Sequence, residues 1–366
     1  MSHLTRRAAL RVQLHELGLE ALLVTSLVNL RYLTGFTGSN GALLIHAEGE
    51  AQTVFCTDGR YRTQSERQVP ELRRVLGRGA DLRLVMEAVE AGIGRLGFES
   101  HVMTIDGLGA LAEVIDADRL VPISRSVERL RLVKDESEIA ALRTACAAAD
   151  TALAGLLTDG GLRPGRTELE VARDLEARMV AAGAAGPSFE TIVAAGPNSA
   201  IPHHRPTGTQ LRPGDLVKMD FGALVDGYHS DMTRTVVLGE PAEWQRELYD
   251  LVAAAQAAGR AALRVGADVR DVDSAARDLI VRAGYGENFV HGLGHGVGLQ
   301  IHEAPALSQL GVGTLTSGMV VTVEPGVYLA GRGGVRIEDT LAVCDGEPDI
   351  LTLTTRDLVV AEDHTF

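Results

Sequence analysis

The chain has 366 residues, of which 45% are hydrophobic and 23% charged, and its formal net charge is −14 at pH 7. This length accommodates two domains with sizeable cores. The acidic balance argues against a general nucleic-acid binder, which needs an excess of lysine and arginine. No apolar run approaches the roughly 20 residues of a membrane span, and the three scattered cysteines match neither a disulfide framework nor a CxxC metal motif. We therefore expect a cytoplasmic protein without nucleic-acid or membrane partners.

The first third of the chain alternates short apolar runs with helical patterns. Strands are indicated by ALLVTS (21–26), GALLIHA (41–47) and QTVFCTD (52–58), and helices by MSHLTRRAALRVQLHELG and DLRLVMEAVEAGIGRL. This alternation predicts an α/β domain over residues 1–124. A stretch with a proline, serines and then charged residues follows it, and we predict a linker over residues 125–134.

Residues 135–366 predict a second domain of the α+β class. Two of its helices have clear start signals, with Asp135 before the first and a capping-box spacing of Thr167 and Glu170 at the second. Two more helices are indicated by PAEWQRELYDLVAAAQAAGRAALRV and VDSAARDLIVRAG. Strand-rich segments lie between and after the helices, and they predict antiparallel hairpins.

The first of these hairpins is predicted within KMDFGALVDGYHSDMTRT, where Asp-Gly at 226–227 is a strong turn signal. A hairpin centred there places Asp220 opposite Thr233. It also places Asp231 opposite Gly222, so that the two acids become diagonal neighbours roughly 7–8 Å apart. Two carboxylates at that separation repel each other, and a metal ion between them would remove the repulsion.

A second pair of acids is predicted within VEPGVYLAGRGGVRIEDT. Glu324 and Glu338 each lie seven residues from Gly331, so a hairpin centred on Gly331 places them opposite each other. Directly opposed like charges destabilise a sheet. Arg336 shares the face of Glu338 and can orient it. Each acid alone fits a solvated strand position, but two hairpins that each pair two acids favour a binding site.

The segment HGLGHGVGLQIHE (291–303) combines three histidines with four glycines. The glycines disfavour a helix by about 1 kcal/mol each, and glycine in an extended strand often marks close approach of a ligand or another backbone. With a period of two, the glycines and His302 lie on one face. The other face then contains His291, Leu293, His295, Val297, Leu299 and Ile301.

Four carboxylates and one imidazole suit two divalent metal ions. Such oxygen-rich ligation favours manganese, cobalt, iron or zinc over copper. Two metal ions that share a water molecule lower its pKa and make it a nucleophile. The pattern therefore predicts hydrolysis.

The whole of residues 135–366 resembles the pita-bread metallopeptidases, which include aminopeptidase P, prolidase and methionine aminopeptidase. The resemblance rests on MDFGALVDGYHSDMTRT, HGLGHGVGLQIHE, EPGVY and RIEDT, in this order. It implies two divalent ions, with manganese expected first and cobalt, zinc or iron as alternatives. The metal ligands that it implies are Asp220, Asp231, His295, Glu324 and Glu338.

The same resemblance implies roles for further residues near the metal ions. In IPHHRPT, His203 best matches a catalytic position, and His204 is the alternative. Three more residues match catalytic positions: His302, Glu324, which is expected to be the proton shuttle, and Arg336. His291 matches a position that contacts the substrate.

The N-terminal region resembles the creatinase-like domain that precedes the catalytic domain in aminopeptidase P and prolidase. The matching segments are NLRYLTGFTGSNGALLI and FCTDGRY. This implies a peptidase that cleaves between an N-terminal residue and a following proline, so its substrate partner is a peptide with proline in second position. Aminopeptidase P is the first expectation, and the resemblance also implies a homodimer.

Three other functions compete with that expectation. Prolidase cleaves Xaa-Pro dipeptides and has the same motifs. Creatinase shares the architecture but works without metal, and a non-catalytic binding protein on this scaffold would typically have lost metal ligands. The complete ligand set argues against the last two.

Overall fold

The computed structural model describes residues 1–361 and divides into two compact units. A mixed six-stranded sheet forms the core of the first unit, Met1–Arg131. Its strands are β1 Ala21–Val24, β2 Gly41–His46, β3 Val54–Thr57, β4 Arg73–Leu76, β5 Leu96–Glu99 and β6 Leu120–Ile123. The order is β4-β3-β2-β1-β5-β6, with antiparallel pairing at β1–β2 and β2–β3 and parallel pairing elsewhere. The three strands predicted from sequence in this region are confirmed.

Six helices accompany this sheet: α1 His3–Glu16, α2 Leu27–Thr34, α3 Arg62–Gln68, α4 Ala80–Glu90, α5 Ile105–Ala112 and α6 Ser126–Arg131. Helix α4 packs its apolar side, including Leu84 and Val85, into the core around the sheet. The segment 125–134, predicted as a linker, contains α6. Arg131 at the end of α6 is buried and donates a hydrogen bond of 2.8 Å to Oδ1 of Asn29, which ties this segment to the first unit.

The second unit, Leu132–Phe366, contains four α-helices among its described residues: α7 Glu136–Thr158, α8 Glu168–Ala181, α9 Glu243–Ala262 and α10 Val269–Arg282. The predicted start signals are confirmed, since Asp135 and Thr167 cap α7 and α8 in complete capping boxes. Helix α7 is long and apolar enough to cross a membrane by composition alone. In the structure its apolar residues pack against α8 and the strands of the unit.

Within the described part of this unit, the strands form four small sheets. A three-stranded sheet contains β7 Gly186–Pro187, β10 Ala223–Val225 and β11 Tyr228–His229, and a four-stranded sheet contains β8 Ile192–Ala195, β9 Leu216–Phe221, β12 Met232–Leu238 and β20 Val359–Ala361. A five-stranded sheet contains β13 Gly294–Gly296, β14 Glu303–Leu307, β15 Val320–Val323, β18 Asp339–Ala342 and β19 Asp349–Ile350. The fourth sheet pairs β16 Gly326–Leu329 with β17 Gly333–Arg336. Short 3₁₀ turns occur in the two units at Glu50–Gln52, Gly59–Tyr61, Ala117–Arg119, Gly196–Ala200 and Gly286–Asn288.

Two apolar clusters decide which way the acidic side chains point. One packs α7 and α8 against β8, β9 and β12, and the other packs α9 and α10 against β15 to β18. Met219 and Phe221 on β9 belong to the first cluster, so Asp220 between them points to the opposite face. Ile337 belongs to the second cluster, and the same alternation turns its neighbours Arg336 and Glu338 away from it.

Candidate metal centre

The first predicted hairpin has the predicted register. Asp226 and Gly227 both have positive φ, 49° and 76°, as a two-residue type I′ turn requires. The ladder that follows pairs Asp220 with Thr233, and Asp231 lies directly before β12. The Asp-Gly turn therefore sets the positions of both acids in the sheet.

The second hairpin is interrupted at its two glutamates. On one side of the interruption Val323 pairs with Asp339, and on the other side Gly326 pairs with Arg336. The two ladders have the same register, which places Glu324 opposite Glu338 as predicted. The main-chain N–H of Glu324 donates to the carbonyl of Leu293 at 2.8 Å, and that of Glu338 to the carbonyl of Thr233 at 3.1 Å. The interruption thus joins this hairpin to the histidine segment and to the first hairpin.

The histidine segment differs from the continuous extended chain that its alternation predicts. Only Gly294–Gly296 form a strand before the chain bends, and a bulge lies between His295 and Gly296. Because bulges and bends redirect side chains, His302 returns to the ring of His295, with ring centroids 4.4 Å apart. The prediction that His302 lies on the opposite face from His295 is therefore wrong.

The glycines of this segment are required by close backbone contacts. A Cβ atom on Gly294 would lie 2.0 Å from the carbonyl oxygen of Thr322, and one on Gly296 would lie 2.2 Å from that of Ala304. Both distances are far below van der Waals contact, so no larger residue fits. The glycines allow three backbone segments to approach closely around His295.

These segments line a cavity of about 310 Å³. All five predicted metal ligands contribute to its wall, as do His203, His204 and His302. Arg336 and His291 are not among the lining residues. The residues that complete the wall are Phe189, Glu190, Ile192, Arg205 and Ile301.

Three of the predicted ligands form a compact cluster. One ligand atom from each of Asp231, His295 and Glu338 lies within 4.8 Å of the other two. The Nδ1 atom of His295 lies 3.0 Å from the carbonyl of Gly296. A carbonyl can only accept, so Nδ1 carries the proton and the lone pair of Nε2 faces Asp231 Oδ2 at 3.5 Å and Glu324 Oε1 at 3.4 Å.

The electrostatics of this cluster are unfavourable without a cation. Burial, reinforced by neighbouring carboxylates, raises the pKa of Asp231 and of Glu338 well above their usual range. Burial also raises the pKa of Glu324 to about 8, with a further contribution from Asp220. Burial lowers the pKa of His295 to about 4, which keeps its imidazole neutral. A divalent cation would remove this penalty.

The two carboxylate oxygens of Asp220 have different surroundings. Its Oδ2 atom accepts a hydrogen bond from Nη2 of the fully buried Arg336. Its Oδ1 atom is buried and has no hydrogen-bond partner among residues 1–361. An unpaired carboxylate oxygen beside an imidazole lone pair and further acids matches the donor set of a divalent metal site. The residues present therefore fit the metal ions that the sequence predicts.

Arg336 and His291 do not line the cavity, and both form hydrogen bonds with the hydroxyl of Tyr328. Arg336 donates to Tyr328 Oη at 2.8 Å and to Thr233 Oγ1 at 3.0 Å. The Nδ1 atom of His291 donates to the carbonyl of Gly292, so its Nε2 atom accepts from Tyr328 Oη at 2.8 Å. Both ring nitrogens of His291 are thus used within the protein, and its direct contact with substrate stays a prediction.

Tyr328 was not predicted from sequence as part of the site. It lies four residues after Glu324, and strand alternation places the two on one face. That spacing is the signal that could have identified it.

Comparisons with known proteins define the class of this molecule. Residues 140–345 match metallopeptidase family M24, and residues 6–133 match the Creatinase/Prolidase N-terminal domain. The chain belongs to metallopeptidase family M24. It is a hydrolase with a creatinase-like N-terminal domain and a pita-bread catalytic domain, as the sequence predicts. Membership of the family implies divalent metal ions.

The most informative relatives match over nearly their full length. The chain is 35% identical to the Xaa-Pro dipeptidase of Pyrococcus furiosus, over 94% of this chain and 96% of the relative. Its fold is similar to that of an Xaa-Pro dipeptidase from Bacillus anthracis, with a TM-score of 0.93, 39% identity and coverage of 98% and 100% of the two chains. It is also similar to an X-Pro aminopeptidase from Thermotoga maritima, with a TM-score of 0.88, 31% identity and coverage of 97% and 99%.

Proposed function

We propose that this protein is a metal-dependent Xaa-Pro dipeptidase, which hydrolyses the peptide bond between a first residue and a C-terminal proline. The observation that carries the hydrolytic activity is the buried cluster of Asp231, His295 and Glu338 in the wall of the cavity. The substrate class is supported by the relatives named Xaa-Pro dipeptidase, at 35% and 39% identity. The sequence resemblance put aminopeptidase P first, and the relatives favour its alternative, prolidase.

One feature of the cavity agrees with a dipeptide substrate. Arg205 is the only lysine or arginine among its described lining residues, and it forms an ion pair of 3.1 Å with Glu190. The side chains of Arg205 and Glu190 are 81% and 64% exposed. Exposed pairs of this kind contribute little stability, so the free carboxylate of a dipeptide can replace Glu190 at low cost. A longer peptide has no carboxylate at that position.

The residues of the site divide the chemical work among them. Metal ions held by Asp220, Asp231, His295, Glu324 and Glu338 would polarise the scissile carbonyl and lower the pKa of water. Glu324, which lines the cavity, takes a proton from the attacking water and passes it to the leaving nitrogen. That nitrogen needs the proton because it becomes the amine of free proline.

His203 and His302 have a different task, since both line the cavity and an imidazole N–H can donate a hydrogen bond. They stabilise the negative charge that develops on the carbonyl oxygen, or hold the carbonyl of the proline. Arg336 orients Asp220, a lining residue of the cavity, by donating to Oδ2, which leaves Oδ1 without a described hydrogen-bond partner. The proline nitrogen has no N–H in the peptide, so the pocket for it can be shaped to a ring.

We also propose two metal ions, with manganese as the first candidate and cobalt, zinc or iron as alternatives. The homodimer and the cytoplasmic location stay predictions from the sequence and its resemblance.

The direct test compares three substrates on protein reloaded with manganese: an Xaa-Pro dipeptide, its C-terminal amide and an Xaa-Pro-Yaa tripeptide. We expect the dipeptide to have the highest kcat/KM. Preference for the tripeptide would make the protein an aminopeptidase P. No cleavage of any substrate with any of the four metals would favour a binding protein on this scaffold.

The role of Arg205 is tested by the Arg205→Gln variant. A charge-assisted hydrogen bond contributes about 1.5–3 kcal/mol, and because solvent screens this site we expect KM for the dipeptide to rise about fivefold. KM for the amide should not change, because the amide has no carboxylate. Arg246→Gln is the matched control, since Arg246 forms an exposed ion pair with Glu240 and does not line the cavity. An equal rise for dipeptide and amide would contradict the role of Arg205.

A further inference from the structure

His203 lies on the long connection between β8 and β9, which has little regular structure beyond the 3₁₀ turn at Gly196–Ala200. Its ring lines the cavity and has no hydrogen bond to another described residue. Because no described hydrogen bond holds the ring, its position depends on how the backbone on each side of His203 is held. A buried carboxylate holds this backbone on one side, and two buried basic side chains hold it on the other.

Glu168 holds the connection from one side. It is the first residue of α8, and it is completely buried. Its Oε1 atom accepts hydrogen bonds from the main-chain N–H of Ala195 and from Nδ2 of Asn198, both at 2.9 Å. Its Oε2 atom accepts from the main-chain N–H of Thr207 at 3.0 Å and from its hydroxyl at 2.8 Å. The carboxylate therefore fixes the connection at points before and after His203.

His204 provides a fifth hydrogen bond to the same carboxylate, since its Nε2 atom lies 2.8 Å from Glu168 Oε2. Burial alone would raise the pKa of Glu168, but the hydrogen bonds from Ala195, Asn198 and His204 lower it below its usual value. An ionised carboxylate can only accept, so Nε2 of His204 carries a proton and donates. The ring of His204 is thereby engaged, and His203 remains the histidine of this pair whose ring is available to a substrate.

Two basic side chains hold the connection from the other side. The Nζ atom of Lys218 donates to the carbonyl of Ile201 at 2.6 Å and to that of Pro202 at 3.2 Å. The Nη1 atom of Arg336 donates to the same Pro202 carbonyl at 3.2 Å. Both side chains are buried. The residue before His203 is therefore tied to Lys218 and Arg336, and the residue after it is tied to Glu168.

We propose that Glu168 is a positioning residue for the hydrolytic reaction, which holds His203 in the cavity through its hydrogen bonds to His204 and Thr207. Glu168 itself is not among the lining residues. Lys218 gives the opposing attachment through the backbone of Ile201 and Pro202. This inference rests on the role of His203 under the proposed function.

The test is the Glu168→Gln variant, which keeps the shape of the side chain. Whichever way the new amide turns, its NH₂ group faces the donors on one side, either Ala195 and Asn198 or His204 and Thr207. We expect kcat for an Xaa-Pro dipeptide to fall by about tenfold or more, because small displacements of a catalytic group have effects of this size. KM should change much less, and the bound metal should not change.

Glu170→Gln is the matched control. Glu170 lies on the same helical turn and accepts hydrogen bonds from Thr167 in the capping box, but among the described residues no hydrogen bond or ion pair joins its side chain to the connection. We expect this variant to lose some thermal stability and to keep kcat. If Glu168→Gln does not fold, Thr207→Val at an exposed residue removes the hydroxyl that donates to Glu168, and a fall in kcat of about threefold is expected.

A double-mutant cycle with His203→Ala separates positioning from a general structural effect. If Glu168 acts through His203, its substitution has no further effect on kcat once His203 is alanine. An undiminished effect of Glu168→Gln in that background, or an unchanged kcat in the single variant, would overturn the inference. If His203→Ala alone left kcat unchanged, the assigned role of His203 would fail and this inference with it.

Discussion

Glu338 and Asp339 are adjacent in the chain and both are almost completely buried, yet their surroundings are opposite. Asp339 accepts hydrogen bonds of 2.6–2.8 Å from Gln256, Arg234 and Thr352, and a further one from Arg356. Burial alone would raise the pKa of Asp339, but Arg234 and Arg356 hold it below its usual value. For Glu338, burial and the neighbouring acids Glu324 and Asp220 raise the pKa well above its usual range.

This difference separates a structural carboxylate from one that binds a ligand. We call the residues around Asp339 the Asp339 network, which consists of Asp339, Arg234, Gln256, Thr352 and Arg356. Within this network the protein itself supplies the positive charge. The acids of the metal centre lack an equivalent number of cations, and Arg336 is the only arginine that contacts them through a described ion pair. The acids of the metal site therefore differ from Asp339 in being buried without an equal number of positive charges from the protein.

The largest expected effect comes from removing the charge of Glu324. Glu324→Gln should lower kcat by about 10³-fold or more, since general acid–base catalysis contributes about 10²–10⁴-fold and a proposed metal ligand is also altered. Retention of metal during dialysis should weaken. Steady-state kinetics at saturating manganese measures the effect, and near-normal activity would show that Glu324 is not the proton shuttle.

Breaking the Asp339 network should affect stability. Asp339→Asn leaves the buried Arg234 without its counter-charge, and we expect a loss of about 3–5 kcal/mol in the free energy of unfolding. Asp349→Asn is the control, because its ion pair with Arg143 is exposed, and its effect should stay within about 0.5 kcal/mol. Urea denaturation of the metal-free proteins measures both. Equal effects would mean that the network contributes no special stability.

The stability of the metal-free protein should depend on pH because its buried acids have raised pKa values. Between pH 6.5 and about 8 the Glu324 carboxyl is protonated in the folded state and ionised in the unfolded state. Over this range His291 and His295, whose pKa burial lowers, are neutral in both states and add no slope. The folded state then binds the extra proton, so stability falls as pH rises, by about 1.4 kcal/mol per pH unit for such a group. Saturating metal should remove this slope, because metal binding requires the ionised acids. A metal-free stability that rises over the same range would contradict the assignment.

The smallest and most discriminating effect concerns Glu338. Burial and the neighbouring acids make the ionisation of Glu338 unfavourable in the folded, metal-free protein. Glu338→Gln removes this penalty, and we expect stability at pH 8 to rise by about 1 kcal/mol. The corresponding change at Asp339 lowers stability. With saturating metal, Glu338→Gln should instead lower stability, because a metal ligand is lost. A loss of stability in the metal-free Glu338→Gln protein would remove the distinction between the two acids.

Much of the metal centre follows from local sequence signals. The Asp226-Gly227 turn and the distances of Glu324 and Glu338 from Gly331 are sufficient to place four acids in two hairpins, and the structure has these registers. Local patterns of this kind depend on turn geometry and strand alternation alone.

The features that sequence reasoning missed depend on long-range contacts. The second hairpin is interrupted because Glu324 and Glu338 bond to Leu293 and Thr233, which lie far away in sequence. The bend that returns His302 to His295 has the same origin, since its glycines are required by neighbouring backbone. Glu168 resembles any acid in the first turn of a helix. Besides the spacing of Tyr328 from Glu324, a signal that could have been read from sequence is Lys218, a basic residue within the largely apolar strand LVKMDF.

Anomalous diffraction at the manganese edge, from crystals of the protein loaded with manganese, tests whether Asp231, His295 and Glu338, together with Asp220 and Glu324, hold divalent metal. We expect anomalous density between Nε2 of His295 and the carboxylates of Asp231 and Glu338, with a second site beside Oδ1 of Asp220. Bound manganese at other positions, with no density among these side chains, would contradict this expectation.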